Sequence, residues 1–344
     1  MPCEVTMKRK AVALLSGGLD STLAVKLMID EGIDMTGVHF TSIFCNCTPK
    51  KAGCKLQAQK VAQELNVPIH VIHKGMDYIK LVERPPHGHG RGVNPCVDCR
   101  IYMLRKVKEM MPQWDAAFVI TGEVLGQRPM SQHRHTLRVI ERESGLEGLI
   151  LRPLCARHFD PTIPEREGIV DREKLLAFSG RSRKPQIELA QELGIIDYPC
   201  PAGGCLLTDK GIAARLRDLF AFVPDYTYAD LVLVTIGRHY RLRSDLKVVL
   251  GRDQKENERL RHLAKPGQAL FEPKNFRGPT ALAVGTPDES TPQFVAEMIA
   301  AYSQDELGEY CVHQLAAEGQ APALVVRAER YPRGRYDAFR IDPG

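Results

Sequence analysis

Residues 16–21 have the sequence Ser16-Gly17-Gly18-Leu19-Asp20-Ser21. It follows the apolar run Ala11–Leu15 and precedes an amphipathic segment, which predicts a strand, a glycine turn and a helix N-terminus. The two glycines let the backbone approach a phosphate, and the hydroxyls of Ser16 and Ser21 can donate to phosphate oxygens. The helix N-terminus adds unpaired N–H groups and the positive end of its dipole. The stretch therefore predicts an anion site suited to pyrophosphate.

Two other nucleotide-binding loops fit this stretch less well. A Walker loop requires a Gly-Lys-Ser/Thr ending and a dinucleotide loop requires G-x-G-x-x-G, and neither pattern is present at residues 16–21. A purely structural Gly-Gly turn is the remaining alternative. Six consecutive positions match the nucleotide loop, and they lie between a predicted strand and a predicted helix, which favours the nucleotide loop over the structural turn.

The first two hundred residues alternate between predicted strands and predicted helices. This order indicates an α/β fold in which helices cover both faces of a parallel, doubly wound sheet. Thr121-Gly122-Glu123 follows a buried strand, at the sheet edge where ligands of such folds collect. The predicted elements after the glycine loop are a strand at 35–40, a helix at 55–65, a strand at 68–72, a helix at 100–110, a strand at 116–120 and a helix at 184–193.

Length and composition predict two domains and no membrane association. A chain of 344 residues with 44% hydrophobic residues can bury a large core and is more typical of two domains than of one. No apolar run reaches the ~20 residues of a membrane span, and the N-terminus does not resemble a signal peptide, so we expect a cytoplasmic location. The α/β alternation stops near residues 220–228. We therefore expect a first domain at 1–222 and a smaller α+β domain at 225–344, with strands from Leu231 onward.

Basic residues are concentrated in the second predicted domain. Residues 238–265 hold nine Lys or Arg against four acidic residues, an excess of five in a chain whose whole net charge is +5. Such a block favours a polyanionic partner, and the alternative is a solvated helix face with alternating charges. The nine are Arg238, Arg241, Arg243, Lys247, Arg252, Lys255, Arg259, Arg261 and Lys265.

Two pairs of cysteines have the spacing of metal or redox sites. Cys96 and Cys99 form a C-x-x-C motif just before a predicted helix, and Cys200 and Cys205 flank a glycine-containing turn. Three or four converging thiolates would suit either zinc or an iron–sulfur cluster. Of the other six cysteines, Cys45, Cys47 and Cys54 favour a surface loop, with a loop that borders the active site as the alternative. Cys3, Cys155 and Cys311 are isolated thiols.

Several blocks together resemble the PP-loop ATP pyrophosphatases, and within them the tRNA thiolation enzymes. The blocks similar to tRNA 4-thiouridine synthetases lie at 16–21, 121–127, 131–132 and 151–154 and in the helix from Lys184. Those similar to the tRNA 2-thiouridylases lie at 92–100 and 203–205. A short block at 246–258 resembles the RNA-binding module of NFACT proteins, which implies that this part of the chain holds tRNA.

The resemblance implies a fold, an activity and a set of site residues. The fold would be adenine nucleotide α hydrolase-like, and the activity an ATP-dependent tRNA uridine sulfurtransferase that adenylates a uracil carbonyl and replaces its oxygen with sulfur. ATP and Mg²⁺ would bind at Ser16, Gly17, Gly18, Asp20 and Ser21, with Thr121, Gly122 and Gln127 near the nucleotide or base. The implied catalytic residues are Asp20, Cys96, Cys99 and Cys205. The three cysteines would hold a [4Fe-4S] cluster, with Cys200 as the next choice of ligand.

Several alternatives stay open at the level of sequence. The same thiols could carry and release sulfur as a persulfide, or hold structural zinc in an enzyme that adenylates a small molecule, as deazaguanine nitrile synthases do. A non-catalytic RNA-binding protein is the third hypothesis. The expected partners are tRNA and a sulfur donor, either sulfide or a persulfide carrier, and the sequence leaves a homodimer open. It does not fix the uridine or the choice between its C2 and C4 atoms.

Overall fold

A computed structural model describes residues 9–45, 54–195, 205–316 and 324–342. The chain divides into two compact units, Met1–Leu206 and Leu207–Gly344. Among the described residues, no helix has the length and apolar character needed to cross a membrane.

The first unit is built on a five-stranded sheet in which every pair of neighbouring strands is parallel. The strand order is β3-β2-β1-β4-β5, so that the chain moves outward from β1 in one direction and then returns to the other side. The strands are β1 (Lys10–Leu14), β2 (Asp34–Thr41), β3 (Ile69–His73), β4 (Phe118–Thr121) and β5 (Ile150–Leu151).

Alternating side chains of β1 explain why helices pack on both faces of this sheet. Ala11 and Ala13 point into one buried cluster, whereas Val12 and Leu14 point into a second. The first cluster includes Leu23 and other side chains of α1, and the second includes side chains of α4 and α5. The predicted α/β fold is therefore confirmed. The helices of this unit are α1 (Leu19–Asp30), α2 (Cys54–Glu64), α3 (Met76–Glu83), α4 (Cys96–Met110), α5 (Arg134–Ser144), α6 (Ile163–Arg166) and α7 (Lys184–Glu192).

The second unit contains a six-stranded antiparallel sheet with the order β11-β10-β8-β9-β7-β6. One face buries α11 and the other buries side chains of α9 and α10. This arrangement confirms the predicted α+β domain. Its elements are α8 (Lys210–Phe222), α9 (Tyr228–Val234), β6 (Arg238–Arg243), β7 (Leu246–Leu250), α10 (Gln254–Leu263), β8 (Ala269–Pro273), β9 (Ala281–Gly285), α11 (Thr291–Ala301), β10 (Tyr310–Ala316) and β11 (Leu324–Ala328).

Two features near the junction differ from the sequence-based expectations. Leu231 lies in α9 rather than in a strand, because Thr227 and Asp230 form a capping box that starts a helix there. The structure also groups α8 with the second unit. Arg215 on α8 pairs with Asp342 at 2.6 Å, and Asp218 pairs with Arg241 at 2.7 Å. The boundaries 1–222 and 225–344 stay a prediction.

Candidate active site

The glycine loop connects β1 to α1 as the sequence predicted. Gly17 has a φ of +74°, which favours glycine, and a Cβ there would lie 2.6 Å from the backbone nitrogen of Ala58 on α2. The side-chain oxygens of Ser16 and Ser21 lie 3.0 Å apart, and the Ser21 hydroxyl donates to the Gly18 carbonyl at 2.9 Å. The loop is thus held by its own hydroxyls and by the neighbouring helix.

The carboxyl end of β4 contacts the first turn of α1. A Cβ on Gly122 would lie 2.5 Å from both the carbonyl carbon of Asp20 and the backbone nitrogen of Ser21. Only a residue without a side chain allows this approach. Thr121 and Gly122, predicted from the sequence to lie at the ligand edge of the sheet, are therefore in direct proximity to the glycine loop.

Asp20 has one engaged and one unengaged carboxylate oxygen. Its Oδ2 accepts a hydrogen bond from Gln127 Nε2 at 3.0 Å and lies 3.4 Å from Arg183 Nη2. Its Oδ1 is buried and has no hydrogen-bond partner within the described part of the chain. A buried carboxylate oxygen without a partner is costly, and a hard cation such as Mg²⁺ would satisfy it. Asp20 therefore fits the role of a magnesium ligand.

A buried ion network fixes the segment that follows β4. Glu123 lies 3.1 Å from Arg152 Nε and 3.4 Å from Arg100 Nε, and its side chain is 3% exposed. Burial by itself would raise the pKa of Glu123, but Arg100 and Arg152 outweigh it, and the net pKa is lowered. Glu123 is therefore an ionised anchor. Its other neighbour, the Thr121 hydroxyl, donates to Oε2 at 3.2 Å.

Three arginines contribute positive charge near the glycine loop or the C-x-x-C motif. Arg183 contacts Asp20, whereas Arg100 follows Cys99 on α4. Surrounding protein lowers the pKa of Arg128, and the charges of Arg100 and Arg183 lower it further, whereas Cys96 raises it. Mutual repulsion of this kind is relieved when an anion binds. The arrangement is suited to the phosphates of a nucleotide.

Cys96 and Cys99 occupy the first turn of α4, and hydrogen-bond donors reach both sulfur atoms. Asn94 Nδ2 donates to Cys96 Sγ at 2.9 Å. Lys74 Nζ donates to Cys99 Sγ at 3.2 Å, and the Tyr78 hydroxyl lies 3.5 Å from the same sulfur. Burial raises the pKa of Cys96, and the neighbouring Cys99 raises it further. Cys99 is thus the one of the two whose sulfur contacts an ammonium group.

Cys205 lies in the same region as Cys99. Burial raises the pKa of Tyr78, and negative charge on Cys99, Cys205 and Cys45 raises it further. Cys45 and Cys205 also pair directly through an isolated antiparallel bridge. The sequence favours a surface loop for Cys45 and leaves a loop that borders the active site as the alternative. Its pairing with Cys205 has no sequence signal, because no periodic pattern links residue 45 to residue 205.

The other cysteines do not join this group in the described structure. Cys155 is buried, and its Sγ donates to the carbonyl of Glu123 at 3.2 Å; burial raises its pKa to about 11. Cys311 lies on β10 of the second unit. Cys200, Cys3, Cys47 and the side chain of Cys54 lie outside the described residues. Within those residues, no three His, Cys, Asp or Glu side chains are close enough to hold a metal ion.

A histidine near the motif has a role that the sequence did not reveal. His87 Nδ1 lies 2.8 Å from Asp98 Oδ1, and its Nε2 lies 3.2 Å from Glu143 Oε1. Asp98, the third residue of the C-x-x-C motif, is buried. A hydrogen bond to Asp98 raises the pKa of His87. The side chain therefore fastens the first turn of α4 to the preceding loop and to α5.

Ion pairs within the second unit engage most of its basic block. Six of the nine basic residues at 238–265 contact a carboxylate, so their charge is largely compensated within the unit. Lys247 is also buried, and burial lowers its pKa to about 8. The paired residues are Arg241, Arg243, Lys247, Arg252, Arg261 and Lys265. The charge count of the sequence therefore overstates what this block offers to a polyanion.

Two family models match this chain. Residues 6–163 match the family described as "Thiamine biosynthesis protein (ThiI)", and residues 237–339 match the "NFACT protein RNA binding domain". These matches confirm the predicted resemblance to PP-loop thiolation enzymes and to the NFACT RNA-binding module.

Curated relatives and solved structures show partial similarity. The chain is 28% identical over 139 residues to the tRNA-specific 2-thiouridylase MnmA of Dehalococcoides mccartyi, which covers 38% of the chain but only 35% of that relative. A structure of a 4-thiouridine synthetase–RNA complex with bound ATP aligns with 20% identity and a TM-score of 0.35, covering 54% of this chain and 51% of the other. The U34-tRNA thiolase NcsA from Methanococcus maripaludis, solved with its [4Fe-4S] cluster, aligns with 14% identity and a TM-score of 0.31, covering 66% and 71%.

Proposed function

We propose that this protein is an ATP-dependent tRNA uridine sulfurtransferase. The matches of residues 6–163 to the ThiI family and of residues 237–339 to an RNA-binding domain support this proposal. The enzyme would adenylate a uracil carbonyl of tRNA and replace the oxygen with sulfur. The tRNA-specific 2-thiouridylase among its relatives supports this substrate class.

One observation carries the proposal. The glycine loop and the thiols are joined by a short, buried chain of contacts. Gly122 packs on the backbone of Asp20, Glu123 follows it, and Glu123 pairs with Arg100, the residue after Cys99. A site that activates an oxygen with ATP and then delivers sulfur needs these two functions side by side. The contacts of Glu123 hold them in that relation.

The glycine loop would bind the phosphates of ATP. Backbone N–H groups in the first turn of α1 and the hydroxyls of Ser16 and Ser21 are available donors. Asp20, through its unpartnered Oδ1, would hold Mg²⁺, which supplies charge neutralisation to the pyrophosphate leaving group. Gln127 and Arg183 would orient the carboxylate through its other oxygen.

Adenylation would then occur between the loop and the arginines. The uracil carbonyl oxygen attacks the α-phosphorus, the new O–P bond forms, and the bond to the β-phosphate oxygen breaks to release pyrophosphate. Arg100, Arg128 and Arg183 are placed to stabilise the negative charge that develops on the α-phosphate. The uracil carbon now carries AMP as a leaving group, which a sulfur nucleophile can displace.

Cys99 and Cys205 would deliver the sulfur. In the persulfide route, the Cys99 thiolate attacks the outer sulfur of a donor persulfide, and the donor leaves as its thiol. The terminal sulfur now on Cys99 attacks the uracil carbon and AMP leaves. The Cys205 thiolate then attacks Cys99 Sγ, so that the sulfur–sulfur bond of the adduct breaks, thiouridine is released and a Cys99–Cys205 disulfide forms. Lys74 and Tyr78 donate to Cys99 Sγ and would orient this sulfur for the attack by Cys205, in which the thiouridine sulfur is the leaving group. An external thiol reduces the disulfide before the next cycle.

A [4Fe-4S] cluster is the second form of sulfur delivery in this proposal. Cys96, Cys99 and Cys205 would be its ligands, with Cys200 as the next choice. In the described residues these thiols do not form a set of three close enough to hold a metal ion. When bound, a cluster would supply an open iron that carries sulfide. Anaerobic purification with iron, acid-labile sulfide and zinc analysis separates the cluster from the persulfide route and from a zinc protein.

The activity is tested by incubating the anaerobically prepared protein with unmodified tRNA, ATP and one of two sulfur sources, sulfide or a persulfide donor. Nucleoside mass spectrometry should detect thiolated uridine and a luminescent assay should detect pyrophosphate. We expect Cys99→Ser to abolish thiolation while pyrophosphate release continues. Cys311→Ser, on β10, is the matched control and should retain activity. Absence of thiolated uridine with either sulfur source would overturn the proposal.

A further inference from the structure

Two arginines of the second unit lie against a single tyrosine ring. The guanidinium carbons of Arg238 and Arg333 lie 4.7 Å and 4.6 Å from the ring centroid of Tyr302. Arg238 begins the edge strand β6, Tyr302 directly follows α11, and Arg333 begins a 3₁₀ turn near the C-terminus. Three segments far apart in sequence therefore converge on one aromatic residue.

Hydrogen bonds hold this cluster in place but use few of its donors. Arg238 Nη1 donates to the Gly251 carbonyl at 3.1 Å, and Arg333 Nε donates to the Ala301 carbonyl at 3.1 Å. The Tyr302 hydroxyl lies 2.5 Å from the hydroxyl of the buried Tyr240. Each guanidinium carries five N–H donors in a planar fork. Several donors on each arginine thus remain for a ligand, and the ring keeps both forks in a fixed orientation.

The charge of the cluster is not compensated within the described part of the second unit. Neither Arg238 nor Arg333 contacts a carboxylate there, whereas six of the other basic residues at 238–265 do. Arg340 pairs with Tyr240 through an isolated backbone bridge and lies 3.6 Å from Asp342, but Asp342 also contacts Arg215 at 2.6 Å. Positive charge therefore accumulates around Tyr302.

We propose that Arg238 and Arg333, oriented by Tyr302, bind the phosphodiester backbone of RNA. Planar guanidinium forks match the two non-bridging oxygens of a phosphate, and an arginine stacked on an aromatic ring keeps its in-plane N–H groups for that contact. Tyr302 is half-buried and Arg333 is exposed, so the donors are accessible. The inference rests on the proposed function only in choosing tRNA as the ligand.

Arg238 and Arg333 are better suited to bind phosphate than the arginines of the basic block that pair with carboxylates. A phosphate that binds Arg243 or Arg261 must compete with Asp288 or Glu272, which already contact those guanidiniums. A phosphate at Arg238 and Arg333 displaces no described carboxylate. The favourable counterion release of nucleic-acid binding is therefore concentrated at the unpaired arginines.

The experiment measures binding of fluorescently labelled, unmodified tRNA transcript to the full chain by anisotropy at several salt concentrations. The test variant is R238A/R333A, and the matched control is R243A/R261A, which removes the same charge from paired arginines of the same unit. We expect the test variant to raise Kd at least tenfold and to reduce the slope of log Kd against log salt by about 2, one per lost phosphate contact. The control should change Kd less than twofold.

Further variants separate the contact from general effects on folding. Tyr302→Phe keeps the ring and should bind like the unaltered protein, whereas Tyr302→Leu should weaken binding at unchanged charge. R238K/R333K should keep most of the salt slope while losing affinity, because lysine keeps the charge without the fork. Circular dichroism melting verifies that each variant is folded, and any variant that is not folded is replaced by the corresponding single substitution.

Three results would overturn the inference. One is an equal loss of affinity in the test and control variants, which indicates non-specific charge attraction. Another is unchanged tRNA affinity in a folded R238A/R333A protein. The third is heparin binding as tightly as tRNA with the same dependence on Arg238 and Arg333, which indicates a general polyanion site. The assay contains neither ATP nor a sulfur donor, so a failure of thiolation leaves its outcome unaffected.

Discussion

Gly122 is the residue at which the two halves of the candidate site meet most closely. We expect Gly122→Ala to disrupt ATP use, because the added Cβ would lie 2.5 Å from backbone atoms of Asp20 and Ser21, which cannot rotate away. Overpacking of this kind costs about 1–3 kcal/mol of stability. Thermal melting and pyrophosphate release measure both effects. Gly308→Ala meets nothing within 4 Å and is the control; equal behaviour of the two variants would contradict the packing argument.

Glu123 makes the stability of the first unit depend on pH. Its folded-state pKa is lowered, so its ion pairs contribute stability that is complete above the unfolded value of about 4.3 and is lost as pH falls through the lower folded value. Glu123→Gln should therefore be less stable than the unaltered protein at pH 7 and should lose less stability on acidification. Urea unfolding between pH 7 and pH 3 tests this. Parallel pH profiles would show that Glu123 is not ionised in the fold.

The location of motif residues in the fold could be predicted from the sequence, whereas the residues that contact their side chains could not. The S-G-G-L-D-S stretch predicted the position of Asp20, but its contacts with Gln127 and Arg183 bring together residues more than 100 positions apart. His87 and Asp98 are only 11 positions apart, but they share no motif. Partners of this kind depend on how loops approach one another, and a single sequence contains no periodic signal for that approach.

At the scale of elements, the bridge between the segments of Cys45 and Cys205 makes a chemical prediction. Residues paired across antiparallel strands have Cα atoms about 4.5–5.5 Å apart, within the range of about 4.4–6.8 Å that a disulfide spans. Mild oxidation with diamide should therefore link Cys45 to Cys205, and peptide mass mapping should detect the product. Cys45→Ser should abolish it. A Cys96–Cys99 disulfide as the main product, with Cys45 left open to alkylation, would contradict the pairing.

Strongly periodic elements were predicted within a few residues, whereas the helix at Leu231 was not. The predicted helix at 100–110 begins at Cys96 in the structure, so the C-x-x-C motif forms the first turn of α4 rather than a preceding loop. Leu231 was assigned to a strand because the short run around it is apolar. The capping box of Thr227 and Asp230 decides in favour of a helix, since it satisfies the backbone donors of the first turn.

At the scale of the whole molecule, the proposed chemistry and the proposed RNA contact belong to different units. We expect Asp20→Asn to reduce pyrophosphate release at least 100-fold, since it weakens magnesium binding, while changing the Kd for tRNA less than twofold. R238A/R333A should raise the Kd for tRNA, whereas its rate of pyrophosphate release at saturating tRNA should stay close to that of the unaltered protein. Pyrophosphate and anisotropy assays on the same preparations test both. Loss of tRNA affinity in folded Asp20→Asn would contradict this division.

Composition alone overestimates the positive charge that the second unit offers to RNA. The nine basic residues at 238–265 were correctly counted, but ion pairs with acidic residues outside that block, such as Asp218, Asp230 and Glu272, are invisible in a local count. Antiparallel pairing and the position of α8 bring those carboxylates close. The sequence therefore predicted an RNA-binding unit from its resemblance, whereas the arginines that remain unpaired emerged only from the fold.

The hydroxyl pair of the glycine loop has a consequence for the energetics of nucleotide binding. Because the oxygens of Ser16 and Ser21 lie 3.0 Å apart, a phosphate that engages them exchanges an existing hydrogen bond for a new one. The hydroxyls should then contribute little binding enthalpy, and the loop loses little conformational entropy because it is already ordered. Discrimination between ATP and AMP would then arise from backbone donors and magnesium. In calorimetry, the difference in binding free energy between the two nucleotides should therefore be far larger with magnesium than without it.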